Sequence, residues 1–494
     1  MLELAEQGKT LSDKAYDAAV PKVREALLKA HFALRDREFP VLVIVSGADG
    51  AGKGEMVHHL NEWLDPRGVV THAFWETSSD EQRRPEYWRY WRAMPGAGRI
   101  GILFGSWYSA PIIGRVLRSE KKREFESALE RIVRFEKLLT GSGAVLVKLW
   151  LHLPKAAQRT RLEELEEEGR IGPDDWTHFE KYSRFRAVSE RALERTHTAT
   201  APWHLIEATD RRWREISAAK ALTVAIEARL GARAGARADA RAGGRGGAKR
   251  SDGAVFDGAL DSVDLTQRMK KAEYEPALKE LQERLSRLAW KAREAKRATV
   301  LAFEGWDAAG KGSAIRRVTH AIDPRLYSVV GIAAPTEEER AQHYLWRFWR
   351  RVPHDGAMTI FDRSWYGRVL VERVEGFAQP DEWARSYAEI NEFERQLTDH
   401  GVVLLKFWIH VSEKEQLKRF KERETVPRKQ YKITPDDWRN RKQRTAYGAA
   451  VEEMVARCDP PAAPWTLVAG DDKRYARVQI VRTIVERLEE ALEG

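Results

Sequence analysis

One cysteine, Cys458, is all the chain carries, so no internal disulfide can form and a reducing, cytoplasmic setting is expected. Long apolar runs are missing as well. The longest are broken by Lys148 or Lys406 and fall far short of the ~20 residues a membrane span requires, so no membrane partner is expected. The opening residues Met1 to Gln7 lack a basic stretch followed by an apolar one, and no secretory signal is expected. No Cys/His spacing points to zinc, and no pairing of nucleophile with base points to acyl transfer.

What is present suffices for several cores: 494 residues, 43% of them hydrophobic, predict two or three domains. The formal charge of +10, from 85 basic and 75 acidic residues, suits a polyanionic partner, either nucleic acid or a chain of phosphates. Part of the excess lies in residues 231–253, rich in Ala, Gly and Arg and nearly free of large apolar side chains. Such a stretch buries too little to offset its ordering entropy and predicts a flexible linker. It would separate a domain over 1–230 from another over 254–494.

The chain writes one phosphate-binding loop twice, as Gly47-Ala-Asp-Gly-Ala-Gly-Lys53-Gly54 and as Gly305-Trp-Asp-Ala-Ala-Gly-Lys311-Gly312. Each follows an apolar run fit for a buried strand (Val41 to Val45; Thr299 to Phe303) and opens a helical pattern. That is the context a P-loop needs, because N–H groups at a helix start converge on phosphate oxygens. The same offset of 258 positions carries Asp49 to Asp307, Trp88 and Trp91 to Trp346 and Trp349, Ser106-Trp-Tyr108 to Ser364-Trp-Tyr366, Glu136 to Glu394 and His152 to His410. After a four-residue insertion, Asp175-Trp176 maps to Asp437-Trp438. A period this long is a domain duplication. Within each half, strand-length runs alternate with longer amphipathic segments, which predicts a parallel sheet with helices on both faces. In the second half the strands are expected near Thr299 to Glu304, Tyr327 to Ile332, Ala357 to Phe361, Val402 to His410 and Trp465 to Val468.

The copies diverge where chemistry would sit. Asp362-Arg363 follows the third strand of the second half, where a Walker-B type carboxylate holds Mg²⁺; the first half has Phe104-Gly105 there. Between Lys414 and Lys432 eight basic residues face three acidic ones, whereas the matching stretch Lys155 to Ile171 has four against five. Catalysis is therefore expected in the second half, with Asp49 and Lys53 left as a degenerate site.

The residue after Lys311 is Gly312, not the Ser or Thr that commonly binds Mg²⁺. Asp307 and Asp362 are the expected metal ligands, Asp307 having loop-capping as its alternative role. Lys311 would neutralise the transferring group, while Gly305, Ala308, Ala309, Gly310, Gly312 and Ser313 line the phosphate cradle. Arg363 and Arg368 offer bidentate clamps. Glu372 and Arg373 are open between a mutual ion pair and a site role. Arginines and aromatics interleave from His343 to Arg351, as single-strand binders have them. Yet Trp346 and Trp349 stand three apart, and the first half keeps both, which favours core packing. His410 is read as a packed histidine.

Taken together, Phe303-Glu-Gly-Trp-Asp307-Ala-Ala-Gly-Lys311-Gly312, Phe361-Asp362-Arg363-Ser-Trp-Tyr-Gly-Arg368, the Asp437-Trp438 region and the ending Asp472-Lys473-Arg474-Tyr-Ala-Arg477 resemble the polyphosphate kinase 2 family. The tandem form is similar to its polyphosphate:AMP phosphotransferases. The resemblance implies two P-loop kinase-like α/β domains, each with a helical lid. It also implies inorganic polyphosphate as donor, a nucleotide as acceptor and Mg²⁺ as cofactor. A basic lid over about Lys414 to Arg444 would cover polyphosphate with Lys418, Arg419, Lys421, Arg423, Arg428, Lys429 and Lys432. The family's motif residues carry over to Asp307, Lys311, Asp362 and Arg363. Formation of ADP from AMP is the expected reaction, with NTP formation from NDP and a non-catalytic polyanion-binding module as alternatives. Nucleic acid is not the expected partner, and a homo-oligomer stays open.

Overall fold

The computed structural model describes residues 1–65, 68–74, 77–167, 175–242, 258–425 and 433–493, with backbone alone from 232 to 242. The first sheet contains β1 (Val41–Gly47), β2 (Val69–Ala73), β3 (Ile100–Phe104), β4 (Val145–His152) and β5 (Trp203–Glu207) in the order β2-β3-β1-β4-β5. The second contains β6 (Thr299–Gly305), β7 (Tyr327–Gly331), β8 (Met358–Asp362), β9 (Val403–His410) and β10 (Trp465–Ala469) in the equivalent order β7-β8-β6-β9-β10. Every pairing is parallel. The five strands expected in the second half are all present, their ends displaced by a residue at most.

Helices cover both sheet faces, so the central strands read as continuous apolar runs and not as alternating ones. β1 is buried at every position. Around it Val41, Val43 and Val45 pack with Leu27, Leu60 and Leu222 from flanking helices. In the second sheet Val300, Leu301 and Phe303 are fully buried, as are Phe407 and the helical residues Ile480, Ile484 and Leu488. Trp88, Trp91, Trp346 and Trp349 are buried too, as packing roles require.

One buried polar cluster explains motifs kept by both halves. Glu394 accepts from Trp365 Nε1 (3.0 Å), Tyr366 Oη (2.6 Å) and Lys406 Nζ (2.8 Å), and Lys406 also donates to Cys458 O (2.7 Å). Glu136 takes the same bonds from Trp107, Tyr108 and Lys148 at 3.1, 2.5 and 2.7 Å. A buried ion pair survives only when hydrogen bonds satisfy its remaining groups. The Ser-Trp-Tyr string is thus a structural signature, present whether or not its copy does chemistry.

Two features differ from expectation. The helix Arg211–Ala242 continues over residues 231–242 of the expected linker; alanine and arginine are strong helix formers, and the helix is already nucleated. The rest of that linker lies outside the described residues. The chain also forms two compact units, each assembled from more than one stretch of sequence. One holds Met1–Thr77, Arg89–Lys249 and Arg340–His343, the other Ser78–Trp88, Arg250–Glu339 and Tyr344–Gly494. Within the second, Trp88 Nε1 donates to the Trp349 carbonyl at 3.0 Å, a bond local periodicity does not announce.

Candidate active site

Ligands of open α/β sheets bind beyond the carboxyl ends of the strands, and there β6, β8 and β9 bring the predicted groups together. Phe303 of β6 is paired with Asp362 of β8. The loop from Gly305 leads into the helix Lys311–Thr319, capped by Gly310 in the left-handed conformation. Gly305 has φ +146°, and a Cβ there would lie 2.6 Å from Ile409 O. Only glycine lets the loop pass this close to β9.

Lys311 Nζ donates to Gly305 O (2.7 Å) and Trp306 O (3.4 Å) and makes no ion pair among the described residues. Burial pushes its pKa down, Arg363 adds to that, and Asp307, Glu304 and Asp362 oppose it. Asp307 is held at both oxygens, by Arg363 Nη2 at 3.2 Å and by Asn440 Nδ2 at 2.8 Å. The Asp362 carboxylate makes no hydrogen bond or ion pair among the described residues, and its Oδ2 would stand 3.8 Å from a Cβ on Gly312. Glycine after the lysine leaves open the space beside this carboxylate. The donor set suits a hard divalent cation held by one or two carboxylates with phosphate oxygens and water completing its shell. Among the described residues no three His, Cys, Asp or Glu side chains form a self-sufficient metal cage.

Four expectations need correction. Arg419 is not a cation free to meet polyphosphate: it is buried, and its five N–H groups go to Glu415, Ala308 O, Ala309 O, Gly470 O and Asp471 O. It straps the phosphate loop to the chain after β10. Glu372 and Arg373 do not pair with each other, because neighbours on a helix diverge. Glu372 meets Arg368 one turn away (2.8 Å), and Arg373 meets Glu453 (2.7 Å). Arg368, expected as a clamp, is therefore engaged with Glu372 and stacks on Tyr344, 4.5 Å from its centroid. Ser313, expected in the cradle, accepts two hydrogen bonds from Arg477 at 2.7 and 3.0 Å. Of the remaining lid residues, Lys418 and Lys421 are exposed on the helix Glu413–Thr425. Arg423 lies 3.8 Å from Asp437, and Arg428, Lys429 and Lys432 lie outside the described residues.

His410 accepts from Trp306 Nε1 at 3.1 Å. Burial first, then Arg444, pushes its pKa down to about 4, so the ring is neutral and packed, as expected.

The first copy closes on itself. Lys53 Nζ donates to Asp49 Oδ1 at 2.9 Å, and His178 Nδ1 lies 2.8 Å from Asp49 Oδ2. Burial pushes the Asp49 carboxyl up, but Lys53 and His178 outweigh it and hold it well below the usual carboxylate range. The loop lysine that would face a phosphate is already paired.

Three residues the motifs did not single out matter here. Gln416 donates to Asp307 O (3.1 Å), as Gln158 does to Asp49 O (3.0 Å). Asn440 occupies the place of His178, and Glu304, where the first copy has Ser46, binds Ser364. The repeat offset, applied position by position, would have exposed all three.

The family model described as Polyphosphate kinase 2 matches residues 10–233 and again 268–493. The chain is 46% identical over 503 aligned residues, 99% of each protein, to a Pseudomonas aeruginosa protein named polyphosphate:AMP phosphotransferase. An Acinetobacter johnsonii protein of the same name is 35% identical across 94% of each. A crystal structure of a Pseudomonas aeruginosa protein described as a polyphosphate kinase 2 superposes with a TM-score of 0.90 at 45% identity, covering all of both chains.

Proposed function

The chain belongs to the polyphosphate kinase 2 family, and from that premise we propose that it moves a phosphoryl group from inorganic polyphosphate to AMP, giving ADP. The carrying observation is near full-length similarity to proteins named for that reaction. In the transfer a P–O bond of the donor phosphoanhydride breaks and one to an AMP phosphate oxygen forms. That oxygen is largely deprotonated at neutral pH, so the protein has charge and position to supply, not a base.

We assign the chemistry to the second copy, domain 254–494, and a non-catalytic role to domain 1–230. Lys311 neutralises the transferring group, with the N–H groups of the loop around it. Arg363 and Asp307 form an oriented pair beside it, and Asp362 faces open space. Asp362, with Asp307, would hold Mg²⁺, which would supply positive charge to the phosphate oxygens. Lys418 and Lys421, with Arg428, Lys429 and Lys432, extend positive charge along the donor. The lone cysteine supports a reducing, cytoplasmic setting; among the described residues no helix is long and apolar enough to cross a membrane.

Purified protein with polyphosphate, Mg²⁺ and a panel of AMP, GMP, ADP and GDP tests this. ADP formed from AMP supports it; NTP formed from NDP with AMP inert replaces it by the NDP reaction, and binding without turnover removes the enzymatic reading.

A further inference from the structure

Two positions near the active site hold a side chain in left-handed backbone where the other copy has glycine. Ala308 has φ +61° against +75° at Gly50, and Arg363 has φ +66° against +77° at Gly105. Both copies share the backbone shape, which glycine supplies without strain. The second copy accepts strain at 363 in order to place an arginine there.

Its restraint is visible. Arg363 N–H donates to Phe303 O at 3.0 Å. The residue after each of these two closes the clamp: Ser364 N–H and Oγ–H both donate to Glu304 Oε1, each at 2.7 Å. Glu304 is buried, and a dry carboxylate persists only with such partners. Ser364 Oγ accepts in turn from Tyr366 N–H at 3.3 Å. The first copy has Ser46 in place of Glu304, and there Ser106 N–H turns to Ser109 Oγ at 3.2 Å. Buried carboxylate and left-handed arginine are present together or absent together.

We infer that Glu304 is a positioning residue that holds the Ser364 turn so that Arg363 stays in left-handed backbone with its guanidinium on Asp307. The consequence for turnover rests on the phosphotransferase reading; the effect on backbone strain does not. The test uses three variants of the full chain: E304S, R363G and their combination. In thermal unfolding E304S lowers the midpoint by about 4 °C, and adding R363G recovers at least half of that, since glycine needs no clamp. In turnover R363G loses about 10³-fold and E304S about 30-fold, while the double variant matches R363G within about twofold. Should E304S fail to fold alone, folding of the double variant supports the inference, and failure of both overturns it. Additive effects in the unfolding cycle also overturn it, even if the unaltered protein proves inactive with polyphosphate and AMP, a result that would instead remove the proposed function. Additive losses in turnover break the link to Arg363.

Discussion

Removing one ammonium group from each P-loop should separate the two halves of the chain. Lys311 rests on two carbonyl oxygens and has no carboxylate partner among the described residues, so its charge is available to a phosphate. A unit charge about 4 Å from another interacts by about 4 kcal/mol at an effective dielectric constant of about 20. At ~1.4 kcal/mol per tenfold, Lys311→Ala should lower kcat by about 10³-fold. Lys53 is already paired with Asp49 at 2.9 Å, and Lys53→Ala should keep turnover within about twofold. Its cost should fall on stability, about 1–2 kcal/mol, because Asp49 loses a cation while keeping its partial burial. Initial rates of ADP formation for both single variants, with thermal unfolding as the control for folding, read the difference. Comparable rate losses from the two folded variants would refute the division of labour.

Glu394→Ala should cost about 3–5 kcal/mol in denaturant unfolding, since Lys406 would be left buried and uncompensated. Arg419→Lys should lower stability by about 2 kcal/mol by stranding loop carbonyls, whereas Lys421→Ala should raise KM for polyphosphate with no change in Tm. His410 gives a pH signature. Its folded pKa of about 4 lies below the unfolded value of about 6.5, so the unfolded chain binds more protons between them. Stability from this group is then full above the upper value and is lost as pH falls through the window. His410→Gln should flatten that part of the stability profile.

The offset of 258 positions showed the duplication, and the buried strands were legible because parallel strands covered on both faces appear as unbroken apolar runs. Loss of Asp362 and Arg363 from the first copy was equally plain in the sequence, since it is a matter of residue identity. Partnership was not. Arg419 and Lys421 are both basic residues of one helix, and only the fold shows that the first spends its donors on loop carbonyls while the second faces solvent. Residue identity and apolar patterning suffice for the architecture, the two loops and which copy retained its charges. Which charges are free depends on how strands and helices pack. Glu304 and Ser364, 60 positions apart, meet only because β6 and β8 lie side by side, and the Asp49–His178 pair that closes the first loop joins residues 129 positions apart. Hydrogen bonds are set by distances of a few ångströms in space, which separation along the chain does not encode.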